Sequence, residues 1–166
     1  MSTPQDHQFM EQALLLAQQA EQHGEIPVGA VVVHNGQIIG RGWNHSITSH
    51  DATGHAEIMA LRDAGLHLEN YRLIDTTLYV TLEPCPMCAG AMVHARVSRL
   101  VFGAFDQKTG AAGSVFNLTG DGRLNHQLDV EGGVEQERCS ALLSEFFRNR
   151  RKAIKAAKKL KTSQQS

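Results

Sequence analysis

Two short segments carry the residue types that hold metals and move protons: His55-Ala-Glu57 and Pro84-Cys85-Pro-Met-Cys88. An imidazole and a C-x2-C pair supply three soft or borderline ligands, a set suited to zinc. Structural zinc sites are normally closed by four protein ligands, so three ligands with a fourth position open point to catalysis. Cys85 and Cys88 lie three residues apart at the start of a predicted helix and so share one side of it. A helix N-terminus lowers the pKa of a thiol, and the thiolate is the form that binds metal. Pro86 is harmless there, because a first-turn N–H has no intrahelical acceptor in any case. His55 likewise opens a predicted helix.

Glu57 stands two residues beyond His55. Residues so spaced do not share a face of a regular helix, so Glu57 is not read as a ligand of the same metal. Beside an open coordination position, a carboxylate can take a proton from water whose pKa zinc lowers from 15.7 to roughly 7. That makes Glu57 the candidate general acid–base. A C-x2-C pair alone also serves as a redox motif or as half of a zinc knuckle. The sequence holds no second C-x2-C and no H-x3-H to close a structural site. Cys139 falls on the apolar side of the last predicted helix and reads as a buried core thiol. His34 and His94 lack partners at ligand spacing, and Met87 and Met92 read as packing residues.

The elements that must position these groups follow from periodicity and turn signals. Thr3-Pro4 reads as an N-cap followed by proline at the first helical position. Phe9, Met10, Ala13, Leu14, Leu16, Ala17 and Ala20 then recur at helical spacing, up to Gly24. Two strand-like runs, Val28 to His34 and Gln37 to Gly40, flank Asn35-Gly36 and signal a hairpin. Residues 43–53 read as loop, and a helix runs from His55 to Ala64, closed by Gly65. Thr76 to Leu82 is a strand, Pro86 to Ala95 a helix, and Arg99 to Ala104 a strand. Residues 105–125 read as loop and 128–130 as a short strand. A long helix from about Val134 carries Cys139, Leu142, Leu143, Phe146 and Phe147 on its apolar side. This order predicts a three-layer α/β/α sandwich around a mixed five-stranded sheet. The hairpin strands pair antiparallel, and later strands joined through helices pair parallel. Residues 1–161 form one domain on this reading, with 162–166 a disordered tail.

Composition agrees with a soluble globular enzyme. The chain has 166 residues, enough for one ordinary domain, with 42% hydrophobic and 20% charged residues. That excludes collagen-like, disulfide-scaffold and disordered classes. No apolar run approaches the ~18 residues of a membrane span, and no secretory signal pattern opens the chain. Three cysteines cannot all pair, and the expected address is the cytoplasm. The net charge of −1 hides an asymmetry. Eight of the 16 basic residues lie from Arg148 to Lys161 with no acid among them, on a body carrying 17 acidic residues. Such a tail reads either as a solvated helix end or as a contact for a polyanion.

His-x-Glu followed by Pro-Cys-x-x-Cys resembles the zinc-dependent cytidine and deoxycytidylate deaminase family, and within it the tRNA adenosine deaminases. The resemblance spans about residues 8–160. It includes Ile26-Pro-Val-Gly-Ala30, Gly42-Trp-Asn44, Asn70-Tyr-Arg-Leu-Ile-Asp75, Leu78-Tyr-Val-Thr-Leu-Glu-Pro-Cys85, Lys108-Thr-Gly-Ala-Ala-Gly-Ser114 and Leu142-Leu-Ser-Glu-Phe-Phe-Arg148. It implies that His55, Cys85 and Cys88 bind one zinc per subunit, and that Glu57 shuttles protons while adenosine becomes inosine at the wobble position of a tRNA anticodon. It further implies that Asn44 hydrogen-bonds the flipped nucleotide and that Val28 and Leu82 line the base pocket. Asp106 would accept from a ribose 2′-OH; Phe147, Arg148 and the basic tail would meet flanking nucleotides. A homodimer in the cytoplasm, with no membrane contact, is implied as well. Gly54 and Phe105 depart from the residues usual in the family, alanine and a basic side chain. The same two segments also serve free-base or nucleotide deaminases acting on guanine or cytosine. The RNA-directed reading rests on Lys108-Thr-Gly-Ala-Ala-Gly-Ser114 and the basic tail, and Glu57 speaks against a zinc-stabilised RNA-binding module without catalysis.

Overall fold

The computed structural model describes residues 1–165. Helix α1 (Pro4–Gln22) starts at a capping box: the Thr3 hydroxyl accepts from Asp6 N, and the Asp6 carboxylate accepts from Thr3 N. Met10, Ala13, Leu14, Ala17 and Ala20 form its buried stripe. Strands β1 (Gly29–His34) and β2 (Gln37–Trp43) pair antiparallel around Asn35 and Gly36, both at positive φ, as a primed hairpin turn demands. Helix α2 (Ala56–Leu68), β3 (Thr76–Leu82), α3 (Pro86–Ala95), β4 (Arg99–Ala104), β5 (Asp129–Gly132) and α4 (Gln136–Gln164) follow.

The strand order is β2-β1-β3-β4-β5. β3 pairs antiparallel with β1, while β3–β4 and β4–β5 are parallel. Alternation along the strands divides the core into two layers. Ala30, Val32, Leu78, Val80, Leu100 and Phe102 pack with Ala60, Ala64 and Met92 of α2 and α3. Val31, Val33, Tyr79 and Val101 pack with Met10 and Leu14 of α1 and Cys139 of α4. The sandwich is three-layered, α/β/α, around a mixed sheet, and each fully buried leucine such as Leu78 contributes about 2 kcal/mol.

Several boundaries differ from expectation for identifiable reasons. β2 continues past Gly40 to Trp43, because its glycines are packing residues: a Cβ on Gly42 would lie 2.2 Å from Ala56 O, and one on Gly40 2.4 Å from Ala60 O. They let α2 lie directly on the strand. Gly65 does not stop α2; the stop is Glu69, in the left-handed region at φ 53°, with the Asn70 N–H returned to Gly65 O. The tail expected over 162–166 is helical as far as Gln164, and Ser166 lies outside the described residues. Only Cys139 of α4 is fully buried; Phe147 is 39% exposed.

A buried charge cluster staples α1 to the sheet. Asp6, 1% exposed, receives two hydrogen bonds from the Arg99 guanidinium at 2.7 and 2.9 Å and one from the Tyr79 hydroxyl at 2.8 Å. Arg99 holds the Asp6 carboxyl far below the usual carboxylate range, while burial and Asp6 push the Tyr79 hydroxyl up. Among the described residues no helix is long and apolar enough to cross a membrane.

Candidate active site

The candidate groups converge at the edge of the sheet where β3 ends and β1 begins. Cys85 is the N-cap of α3 in extended backbone (φ −73°, ψ 172°), Pro86 occupies the first turn, and Cys88 is buried one turn in. His55 is the N-cap of α2, also extended (φ −77°, ψ 153°), and its side chain makes no cap bond. Freed from capping, its ring turns to the thiols, with Nδ1 3.5 Å from Cys85 Sγ and 3.4 Å from Cys88 Sγ. All three donor atoms lie within 4.8 Å of one another. Tetrahedral zinc at ordinary bond lengths sets its nitrogen and sulfur ligands about 3.6 Å apart. The three residues therefore fit that ion.

The surroundings of Cys85 favour its thiolate, the form that binds metal. The Cys88 hydrogen bond, with His55 assisting, lowers Cys85 to about 4 against the opposing effect of burial. The same hydrogen bond and burial push the Cys88 thiol up. The Cys85 hydrogen bond raises the pKa of His55. The neighbouring thiol and imidazole, more than the helix terminus expected from sequence, set the thiolate.

Glu57 sits in the first turn of α2, 4% exposed, and burial pushes its carboxyl up to about 7. It lines a cleft of about 160 Å³ together with His55, Cys85, Asn44, Val28 and Leu82. Ile26, Glu83, Asp106 and Thr109 complete its lining. Asn44 does more than face the cleft. Its amide oxygen accepts from Ala56 N at 2.9 Å, supplying the cap that His55 does not, and its Nδ2 donates to Ile26 O at 3.0 Å. One amide hydrogen remains for a ligand. The Asp106 carboxylate accepts from Lys108 N, Thr109 N and the Thr109 hydroxyl within its own loop. Phe147 and Arg148 stand on exposed turns of α4 and are not among the residues lining the cleft.

Two buried carboxylates flanking the cleft escaped the sequence reading. Glu25 accepts from Ile47 N and Thr48 N; burial opposes its ionisation, yet these bonds hold its carboxyl below the ordinary value. Glu83, 2% exposed, accepts from loop 106–114. The signal for Glu83 is a carboxylate ending an apolar strand, since a charge buried there requires donors and a nearby glycine-rich loop is their natural source.

This fold and this ligand set define a zinc hydrolase of the deaminase type. The cytidine and deoxycytidylate deaminase zinc-binding region matches residues 3–104, and the chain belongs to that family. It is 56% identical over 156 residues to the tRNA-specific adenosine deaminase of Haemophilus influenzae, covering 93% of this chain and 90% of that one. A solved structure from studies of A-to-I editing by tRNA:A34 deaminases superposes with a TM-score of 0.79 at 41% identity, covering 82% of this chain and 99% of the other. A guanine deaminase from Nitrosomonas europaea superposes with a TM-score of 0.75 at 26% identity, covering 88% and 85%.

Proposed function

We propose that this protein hydrolyses adenosine to inosine at the wobble position of a tRNA anticodon, with ammonia as the second product. His55, Cys85 and Cys88 would hold the zinc ion, whose Lewis acidity would make a water-derived nucleophile available at neutral pH. Glu57, buried in the same cleft with its carboxyl near neutrality, takes a proton from the attacking water and passes it to the purine ring, then takes the remaining proton of the added hydroxyl and delivers it to the departing amine, which leaves as ammonia. Val28 and Leu82, which line the cleft, would supply apolar walls for the base, and the second amide hydrogen of Asn44 would donate to the nucleotide. A nucleotide in an anticodon loop is already unpaired and turns out into such a cleft at small cost.

The observation that carries the choice of substrate is the 56% identity, over nearly the whole chain, to a tRNA-specific adenosine deaminase. The guanine deaminase likeness is lower in identity and keeps the free-base reaction as the alternative. The decisive test incubates the zinc enzyme with an anticodon stem-loop bearing adenosine at the wobble position, and separately with guanine, cytosine and free adenosine. Inosine in the RNA alone supports the proposal; turnover of a free base alone transfers the chain to the alternative.

Two further expectations belong here. Arg148 and the basic turns beyond it, all on exposed helix, contact the phosphates flanking the target. The chain forms a homodimer through an apolar groove of about 1240 Å³ between α2 and α3, bordered by Ile58, Leu61, Leu66, Tyr71 and Ala91. Leu66 and Tyr71 are 80% and 73% exposed, and a second copy would cover them. A monomer by light scattering at micromolar concentration would count against this. The reducing cytoplasm suits an enzyme that needs both Cys85 and Cys88 as thiols.

A further inference from the structure

Glu83 joins the metal-binding segment to the loop that supplies Asp106 and Thr109 to the wall of the cleft. It lies between Leu82, the last residue of β3, and Pro84-Cys85. One carboxylate oxygen accepts from Asp106 N at 3.1 Å and from the Ser114 hydroxyl. The other accepts from Ala112 N at 3.0 Å and Ser114 N at 3.1 Å. Both oxygens act only as acceptors, and all four donors belong to one loop. Backbone bonds tie the same segments: Glu83 N to Ala104 O and Ala111 N to Pro84 O, each 2.8 Å. The loop wraps the carboxylate so closely that a Cβ on Gly110 would lie 2.4 Å from the Glu83 carboxyl carbon.

The two loop residues that line the cleft beside Glu83, Asp106 and Thr109, lie inside the wrapped stretch. Asp106 is itself one of the donors to Glu83. Besides those two backbone bonds, the Glu83 carboxylate is the side-chain link between this part of the cleft wall and the segment that carries Cys85. We propose that Glu83 is a positioning residue that holds the 106–114 loop in register with the zinc-binding helix and so sets how tightly the enzyme binds its nucleotide. The group has to be a carboxylate. Glutamine would remove one of the two acceptor oxygens and, whichever way its amide turns, set its NH2 against at least one backbone N–H donor. The dependence on nucleotide binding rests on the deaminase reading; the holding of the loop does not.

The test compares zinc-loaded wild type with Glu83→Gln by zinc content, amide hydrogen exchange and steady-state kinetics on the wobble-adenosine stem-loop. Glu83→Gln is expected to keep one zinc per chain. Exchange should accelerate about ten- to a hundredfold at Asp106, Ala112 and Ser114, with α1 unaffected, as befits the loss of hydrogen bonds to a charged group. KM should rise about tenfold or more while kcat falls less. Ser114→Ala, which removes only the hydroxyl, should give the same pattern at smaller size and stands in if Glu83→Gln fails to fold. Unchanged exchange over 106–114 in both variants overturns the proposal. So does a fall in kcat at constant KM, or faster exchange spread through α3 with loss of zinc. If wild type forms no inosine in the stem-loop, the substrate reading fails, while the exchange comparison still decides what Glu83 does.

Discussion

His55 and Glu57 line the same cleft although they are two residues apart on what a regular helix would make different faces. The reason is that His55 is not helical: as the extended N-cap of α2 it points away from the helix axis, while Glu57 already lies in the first turn. A metal ligand and a proton carrier are thus presented together by one turn of chain. Asn44 secures that turn by capping Ala56 N.

Removing the metal should both inactivate and loosen the protein, because its ligands come from two separate helices. Dialysis against a chelator is expected to abolish inosine formation and lower Tm, and one equivalent of zinc per chain to restore both. Cys88→Ser should lose the metal under the same conditions. Full activity of metal-free protein, shown metal-free by elemental analysis, would refute the assignment.

Gly42→Ala tests how α2 is seated. The added methyl would lie 2.2 Å from Ala56 O and 2.5 Å from Ala60 N, so the helix carrying His55 and Glu57 must move. A drop of about 1–3 kcal/mol in unfolding free energy is expected, together with weaker zinc binding. Denaturant melts and metal titration check it; wild-type zinc affinity would show that the helix is not displaced.

Much of this framework is legible from residue types alone. The Thr3 N-cap with Pro4 after it, the Asn35-Gly36 hairpin, strands β3 and β4 and helix α3 lie where local chemistry puts them. Gly40, Gly42 and Gly65 mislead, because a glycine chosen for close packing or left inside a helix looks like a turn signal until its neighbours are known. The zinc ligands are legible because metal chemistry restricts residue type and spacing. Glu25 and the capping role of Asn44 are not, since their partners are backbone groups distant in sequence, and Glu83 shows only as a carboxylate ending an apolar strand, without its partners.

Asp6 makes stability depend on acid. Its carboxyl is depressed in the folded protein, chiefly by Arg99, relative to 3.8 when unfolded. The stabilisation is therefore fully present above about pH 4 and is lost as pH falls toward the folded value. Tm of the wild type should drop steeply below about pH 4, and Asp6→Asn should flatten that drop while costing about 3 kcal/mol at neutral pH by leaving Arg99 unpaired. Parallel acid profiles for the two proteins would contradict this.

Truncation after Phe147 removes all eight tail cations and none of the cleft residues. RNA affinity should fall, and the slope of log K against log salt should shrink by roughly 0.7 for each phosphate that the tail no longer neutralises. An unchanged slope would return the tail to the role of a solvated helix end.

The most direct measurement is inosine formation by zinc-replete Glu57→Ala on the wobble-adenosine stem-loop, with metal content determined on the same sample. The account predicts one zinc per chain and a rate lower by about 100- to 10,000-fold. Deamination at the wild-type rate with zinc in place would contradict it, because the buried carboxylate beside the metal ligands would then have no part in moving the proton.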